Sequence, residues 1–284
     1  MPGSPPATIV IPTRNRPGYL EVTLASVTGQ ARALGAEVLV VLDGPDPAGA
    51  AVAARHAVRV VAFDGARGLN AARNLGVQSA ASDLIVFLDD DVRVPPDWLD
   101  ALLEGVRHAP GYGVFGGPIR AELEGGGPRA CGREPPPITT LDLGPADCDA
   151  QYVWGANMAL RRRAFELAGP FDEGLAGRGD EEEWERRFVT RGGRVRYVAG
   201  AGITHRRSRR DARLGRLCRA AYALGRTARR NDVRKHTVPP AWFELRVLTG
   251  CAWHTLRRRC AYGIVMGAHS AGRVTEMVAG RGRA

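Results

Sequence analysis

Leu84-Ile85-Val86-Phe87-Leu88-Asp89-Asp90-Asp91 sets five apolar residues directly against three carboxylates, with Pro95-Pro96-Asp97-Trp98 close behind. An unbroken apolar run of this length, bounded by Ser82-Asp83 and by acids, suits a strand covered on both faces. Strands of that kind lie at the centre of α/β sheets, and ligands collect at their carboxyl ends. Three adjacent carboxylates repel one another, so folding alone gives no reason to cluster them. A divalent cation removes the repulsion, and Mg2+ favours one or two carboxylates together with substrate phosphates. The plainer alternative is a solvated acidic turn in which Asp91 or Asp97 caps the next helix.

Outward from this strand the pattern alternates. Ala7–Pro12, Glu37–Asp43 and Val58–Phe63 read as β-branched strands, and the first two end at a proline and a carboxylate. Between them, Pro17 opens a helix expected to run to about Gly29, and Asp46-Pro47 opens another through about Arg55. Gly68–Gly76 begins a third helix, a fourth is expected near 96–107, and a strand follows at Gly113–Ile119. Strands alternating with helices over about 120 residues imply βαβ crossovers and a mostly parallel sheet. The expected class is therefore α/β, a Rossmann-like sheet flanked by helices.

From Ala121 to Cys148 the chain is rich in Gly and Pro with little periodicity, a loop region that either closes over a substrate or is a tolerated insertion. Order returns at Tyr152–Leu160, a short helix follows near Arg162–Ala168, and an acidic helix starts at Asp180. Arg194–Val198 and Ile203–His205 are expected to be extended. Beyond Arg210 the pattern is helical and basic, with a break at Val238-Pro239-Pro240. This divides the chain into a catalytic region, residues 1–207, with nucleotide-binding and acceptor halves near 7–120 and 150–207, and a helical extension, 208–284.

The net charge of +10 is uneven: residues 206–284 hold 19 bases against 4 acids, while residues 1–205 hold 21 against 26. An acidic, metal-seeking body thus carries a basic tail. The five cysteines are odd in number and none forms a CxxC pair, which argues against a disulfide framework and a structural zinc site. No signal peptide or membrane-spanning run is expected, so a cytoplasmic, reduced setting is the default.

Several separated pieces together resemble one family, the inverting family 2 glycosyltransferases of the GT-A fold. Ile9–Arg16 looks like the family's opening strand and loop, and Val40-Val41-Leu42-Asp43-Gly44 is similar to its second-strand motif. Arg67–Asn74 resembles its phosphate-side helix. Asp89-Asp90-Asp91 sits where the family carries its DXD motif, Gly179–Trp184 looks like the acidic helix that supplies the base, and His205 matches a downstream metal ligand. Leu42 stands where the family usually has an acid, and Asp180-Glu181 stands where it usually has Glu-Asp.

The resemblance implies hexosyltransferase-type transfer of a sugar from a nucleotide-diphosphate sugar, UDP-sugar favoured, to an acceptor hydroxyl. It also implies a divalent metal, Mg2+ or Mn2+. Asp89, Asp91 and His205 would hold the metal. Pro12, Thr13, Arg14, Asp43, Arg67, Arg73, Asp89 and Asp90 would contact the nucleotide-sugar. Glu181 is the first choice for the base and Asp180 the second. Trp154, Gly155 and Asn157 would stand where sugar and acceptor meet. The residue chemistry agrees: negative charge grows on a departing diphosphate and is stabilised by a metal and arginines, while the attacking hydroxyl must lose a proton to a carboxylate.

The tail admits three roles: docking on the body, a homodimer contact, or peripheral contact with an anionic inner membrane face. Docking, with a part in shaping the acceptor site, is the expectation adopted. Arg206–Arg210 and Arg257–Arg259 accompany no RNA- or DNA-binding motif, so nucleic acid is not the expected partner. A nucleotidyltransferase would need a glycine-rich phosphate loop, and Pro12–Asn15 is not one.

Overall fold

The computed structural model of the chain describes residues 4–133, 136–175 and 180–281. They form two compact units, residues up to 120 with 139–174 and 180–205 in the first, and 121–138 with 206 onward in the second. The segment 121–138, read above as part of the catalytic region, thus groups with the C-terminal helices.

The first unit opens with β1 (Thr8–Thr13), α1 (Pro17–Leu34), β2 (Glu37–Leu42), α2 (Pro47–Arg55), β3 (Arg59–Ala62), α3 (Leu69–Ser79) and β4 (Leu84–Leu88). It continues through β5 (Val92–Arg93), α4 (Trp98–His108), β6 (Val114–Gly116) and β7 (Ile119–Leu123). After β8 (Cys148–Ala150) come β9 (Asn157–Arg161), α5 (Arg162–Ala168), α6 (Asp180–Thr190), β10 (Val195–Tyr197) and β11 (Ile203–Arg207). Eight strands make one sheet in the order β3-β2-β1-β4-β9-β6-β10-β8. The pairings from β3 through β4 and that of β6 with β10 are parallel, whereas β9 and β8 pair antiparallel. The mostly parallel α/β sheet expected from the alternation is present.

Alternate strand residues feed two cores, which is why these strands read as continuous apolar runs. Ile9, Ile11, Val40, Val86 and Leu88 pack on one side with Leu20 and Leu24 of α1 and Leu102 of α4. Val10, Leu39, Val41, Ile85 and Phe87 pack on the other with Val77 of α3 and with Trp184 and Phe188 of α6.

Two expectations are corrected. Helix α1 runs past Gly29 to Leu34, because the stop is Gly35, whose left-handed φ of 69° lets its backbone N–H cap Ala31 and Arg32. The strand expected over 113–119 is two strands, since Pro118 has no N–H with which to continue a ladder. A smaller sheet, in the order β5-β11-β7, pairs Thr204 with Arg93 and His205 with Val92, and this brings His205 back beside the end of β4.

In the second unit, α7 (Leu214–Arg234), α8 (Ala241–Arg258) and α9 (Ala261–Arg281) are tied by the few acids of this basic region. Glu276 pairs with Arg226 and Arg230, and Arg273 bridges Asp232 and the buried Glu244. Trp242, Leu245, Trp253 and Leu256 of α8 are between 62% and 78% exposed, so that stripe is uncovered.

Candidate active site

The three carboxylates after β4 do different work. Asp90 turns toward the first loop: Thr13 Oγ1 donates to one of its oxygens at 2.6 Å and Arg16 Nη1 to the other at 2.6 Å. Arg16 Nη2 reaches Asp91 at 2.6 Å, so one guanidinium spans both acids. Desolvation pushes the Asp90 carboxyl up to about 7 against the opposing pull of Arg16. For Arg16, burial acts to lower the value, but the neighbouring aspartates override it and keep it firmly charged. Asp90, expected to contact donor, instead has both oxygens engaged by the protein and is 3% exposed.

Asp89 and Asp91 gather with His205. One ligand atom from each of the three lies within 4.8 Å of the others, and His205 Nε2 is 3.1 Å from Asp91 Oδ1. The other ring nitrogen is 3.2 Å from the carbonyl oxygen of Thr139. A carbonyl only accepts, so Nδ1 donates there and Nε2 faces the carboxylate, either donating to it as an imidazolium or offering a lone pair to a shared cation. Two carboxylates and an imidazole so fixed fit a divalent ion that takes both oxygen and nitrogen ligands. Asp89 titrates above its ordinary value, through desolvation first and then the charge of Asp91, with Arg73 and His205 opposing.

Glu181, the second residue of the first unit's acidic helix α6, comes to the same place. Its Oε1 accepts the Gly155 N–H at 3.2 Å and its Oε2 lies 4.0 Å from Arg73 Nη1. Arg73 is 2% exposed, hydrogen-bonded to Asn70 and positioned over the Phe171 ring. A Cβ on residue 155 would stand 2.1 Å from Arg73 Nη2, so any side chain there would have to displace the guanidinium from its place beside Glu181. Trp154 donates its indole N–H to the Thr140 carbonyl and lines a cleft of about 520 Å³ with Tyr152 and Gln151. The Asp180 side chain, second choice for the base, lies outside the described residues.

Other expected contacts are placed differently. Asn157 is 2% exposed, accepts from Trp98 Nε1 and donates to the Ala201 carbonyl, so it braces β9 and has nothing left for an acceptor. Asp43 accepts the backbone N–H groups of Arg67 and Gly68, which fixes the turn into α3. The Arg67 guanidinium pairs with Glu173 at 2.9 Å beside Phe63, on an exposed edge. Pro12 is buried, and Arg14 is exposed just beyond β1.

Three contributors were not singled out from sequence. Arg16 read as the end of the opening strand and loop, Ile9–Arg16, yet it pairs with both Asp90 and Asp91. Asp46 both caps α2 through Gly49 and accepts the Asn15 N–H at 2.8 Å, which holds the first loop. Glu185 lies beyond the acids singled out at the start of this helix, yet it is 1% exposed and accepts the Val153 N–H at 3.0 Å. Its four-residue spacing from Glu181 puts it on the same helix face.

The family model for glycosyl transferase family 2 matches residues 8–168, more than half of the chain. The chain belongs to that family. It is 30% identical over 207 residues to the pre-mycofactocin glycosyltransferase of Mycobacterium tuberculosis, covering 70% of this chain and 42% of the relative. It is 26% identical over 196 residues to the glycosyltransferase AglE of Haloferax volcanii, covering 66% of this chain and 62% of the relative. The chain thus spans about half the length of the curated relatives it matches. Among solved structures it is similar to a mannosyltransferase from Pyrobaculum calidifontis in complex with GDP-Man and Mn2+. The TM-score is 0.63 at 17% identity, covering 97% of this chain and 88% of that one. The fold is of the GT-A type. Glu181 and His205 both lie beyond the stretch that the family model matches, and the fold brings them to Asp89 and Asp91.

Proposed function

We propose that this family 2 glycosyltransferase transfers a sugar from a nucleotide-diphosphate donor to an acceptor hydroxyl with inversion, with a divalent cation as cofactor. The observation that carries the reading is the convergence of Asp89, Asp91 and His205, drawn from positions more than a hundred residues apart. A divalent cation on these three side chains, Mn2+ or Mg2+, would supply positive charge for the departing diphosphate.

The protein's own groups complete the reading. Glu181 takes the proton of the attacking hydroxyl, steered by the Gly155 amide and the Arg73 guanidinium. Arg73 also sets positive charge beside the reacting centre without a metal. Thr13 and Arg16 hold the Asp90-Asp91 turn so that Asp91 keeps its orientation. The nucleotide lies along Pro12–Arg14 and the turn held by Asp43, and a uridine donor is the first to test, with a guanosine donor second. The cleft beside Trp154 and Tyr152 takes a sugar ring of donor or acceptor, since aromatic faces suit the apolar face of a pyranose.

The test is nucleotide release and product anomer, followed by NMR with UDP- and GDP-sugars, with and without EDTA and for Asp91→Asn and Glu181→Gln. Both variants should lose at least about a hundredfold in kcat, the scale of general-base and metal assistance. Full turnover in EDTA refutes the cofactor, a retained anomer refutes inversion, and an active Glu181→Gln protein refutes the base.

For the tail, the exposed stripe Trp242, Leu245, Trp253 and Leu256 with Arg246 and Arg257–Arg259 alongside suits an anionic lipid surface. Cosedimentation with anionic but not neutral vesicles tests this. A concentration-dependent dimer that buries the stripe is the competing result.

A further inference from the structure

Three of the seven cysteine and histidine side chains in the second unit meet at one point. Cys131 comes from the irregular segment 121–138, His254 from the last turns of α8, and Cys260 from the turn between α8 and α9. One ligand atom from each lies within 4.8 Å of the others. Cys131 Sγ is 3.4 Å from His254 Nε2. For a tetrahedral zinc with S at about 2.3 Å and N at about 2.0–2.1 Å, the sulfur-to-nitrogen edge comes to about 3.5 Å. The observed spacing matches that of ligands around a small ion, and it is also the length of a thiol–imidazole hydrogen bond, so the third ligand, Cys260, at the same point is what favours a metal.

The segment is also seated from its backbone. The Ala261 N–H, next to Cys260, donates to the Arg129 carbonyl at 2.9 Å, two residues from Cys131. Cys260 is 1% exposed and follows Arg259, whose left-handed φ of 50° ends α8 and turns the chain toward the other two ligands. No CxxC spacing marks this set in the sequence, because each ligand comes from a different segment and only the fold assembles them.

We infer that Cys131, His254 and Cys260 form a zinc site that pins the 121–138 segment to the α8–α9 hairpin, with the fourth position left to water. Thiolate and imidazole ligands select Zn2+ over the oxygen-preferring ions expected at Asp89 and Asp91, so the two sites take different metals. Binding releases two thiol protons and forms two Zn–S bonds and one Zn–N bond, with no change of oxidation state.

The experiment uses the full chain, reduced, stripped with chelator and then titrated with Zn2+. Wild-type protein is expected to retain one zinc per chain after desalting, and so is Asp91→Asn, which separates this site from the carboxylate centre. Cys260→Ser and His254→Ala should retain none, while Cys218→Ser should keep the full amount. Because a variant could misfold, alkylation of Cys131 in wild-type protein supplies a second readout: Zn2+ should slow it at least tenfold and chelator should restore it. Co2+ in place of Zn2+ should give a thiolate charge-transfer band that Cys260→Ser abolishes. Zinc lost equally from wild type and Cys260→Ser, alkylation indifferent to Zn2+, or a Cys131–Cys260 disulfide in chain purified under reducing conditions would each overturn the inference. Zinc retained by wild type but lost in Asp91→Asn would place it at the other centre and overturn it as well.

Discussion

Replacing Gly155 with alanine probes the site at its tightest point. The new methyl would lie 2.1 Å from Arg73 Nη2 and 2.9 Å from Cζ, against about 3.5 Å or more for unstrained contact. Relief requires a movement of about 1 Å or more. The end of an arginine usually yields at little cost, but this one is 2% exposed and bonded to Asn70. Phe171 lies beneath it and Glu181 beside it. Overpacking of this kind costs about 1–3 kcal/mol, and each kcal/mol lowers Tm by about 2–4 °C in a domain of this size. The catalytic cost should be larger in effect, since a displacement of about 1 Å at reacting groups is worth about a hundredfold in rate. Nucleotide release at saturating donor, beside thermal unfolding of the same sample, gives both numbers. A lowered Tm with kcat within about threefold of wild type would show that Arg73 and Glu181 take no part in the reacting geometry. An unchanged Tm with unchanged kcat would show that the guanidinium repacks freely.

Arg16→Met strips the guanidinium from two aspartates that are each under 5% exposed, while Arg16 itself is 38% exposed. The loss should fall below the 3–5 kcal/mol of a fully buried pair, near 2 kcal/mol, and added Mn2+ should recover part of it; no destabilisation in urea would refute the strut role. Glu185 carries a pKa raised well above 4.5, by desolvation first, with Glu181 and Glu182 adding to it and the Val153 N–H and Arg73 opposing. A raised carboxyl contributes stability that is complete below the unfolded value and lost as pH rises through the folded one, at up to about 1.4 kcal/mol per pH unit. Glu185→Gln should therefore hold its stability at alkaline pH where wild type declines, and parallel unfolding curves from pH 5 to 9 would sink that account.

Much of the fold was legible because its strands are buried on both faces: Ile9–Pro12, Val38–Leu42 and Leu84–Leu88 are apolar throughout and each ends at its polar residue. What escaped was set by contacts distant in sequence. Val92-Arg93 is too short to show a period, and it is a strand only because His205 and Thr204 pair with it. The break at Pro118 was visible in principle, but the apolar run across it outweighed the proline. In the candidate site, Asp89 and Asp91 stood out as clustered acids at a strand end, while His205 and Glu181 were named through the family resemblance. Asn157 misled because a polar residue near an active-site loop looks the same whether it faces substrate or, as here, satisfies Trp98 and Ala201. The division of labour within Asp89-Asp90-Asp91 could not be read either, since it depends on which of the three Thr13 and Arg16 reach.

The bonds that assemble this centre close long loops: Thr13 to Asp90 spans 77 residues, and Asp91 joins His205 across a still longer interval. On a ribosome, the aspartates emerge well before the acidic helix and before His205. A nascent chain ending at residue 168, where the family match stops, carries the acids without their third partner or the Glu181 carboxylate. On the roles proposed above for Asp89, Asp91, His205 and Glu181, competence arrives late in synthesis. Any proteolytic fragment that has lost β11 should be silent, and turnover becomes a faithful gauge of how much of the first unit is fully folded.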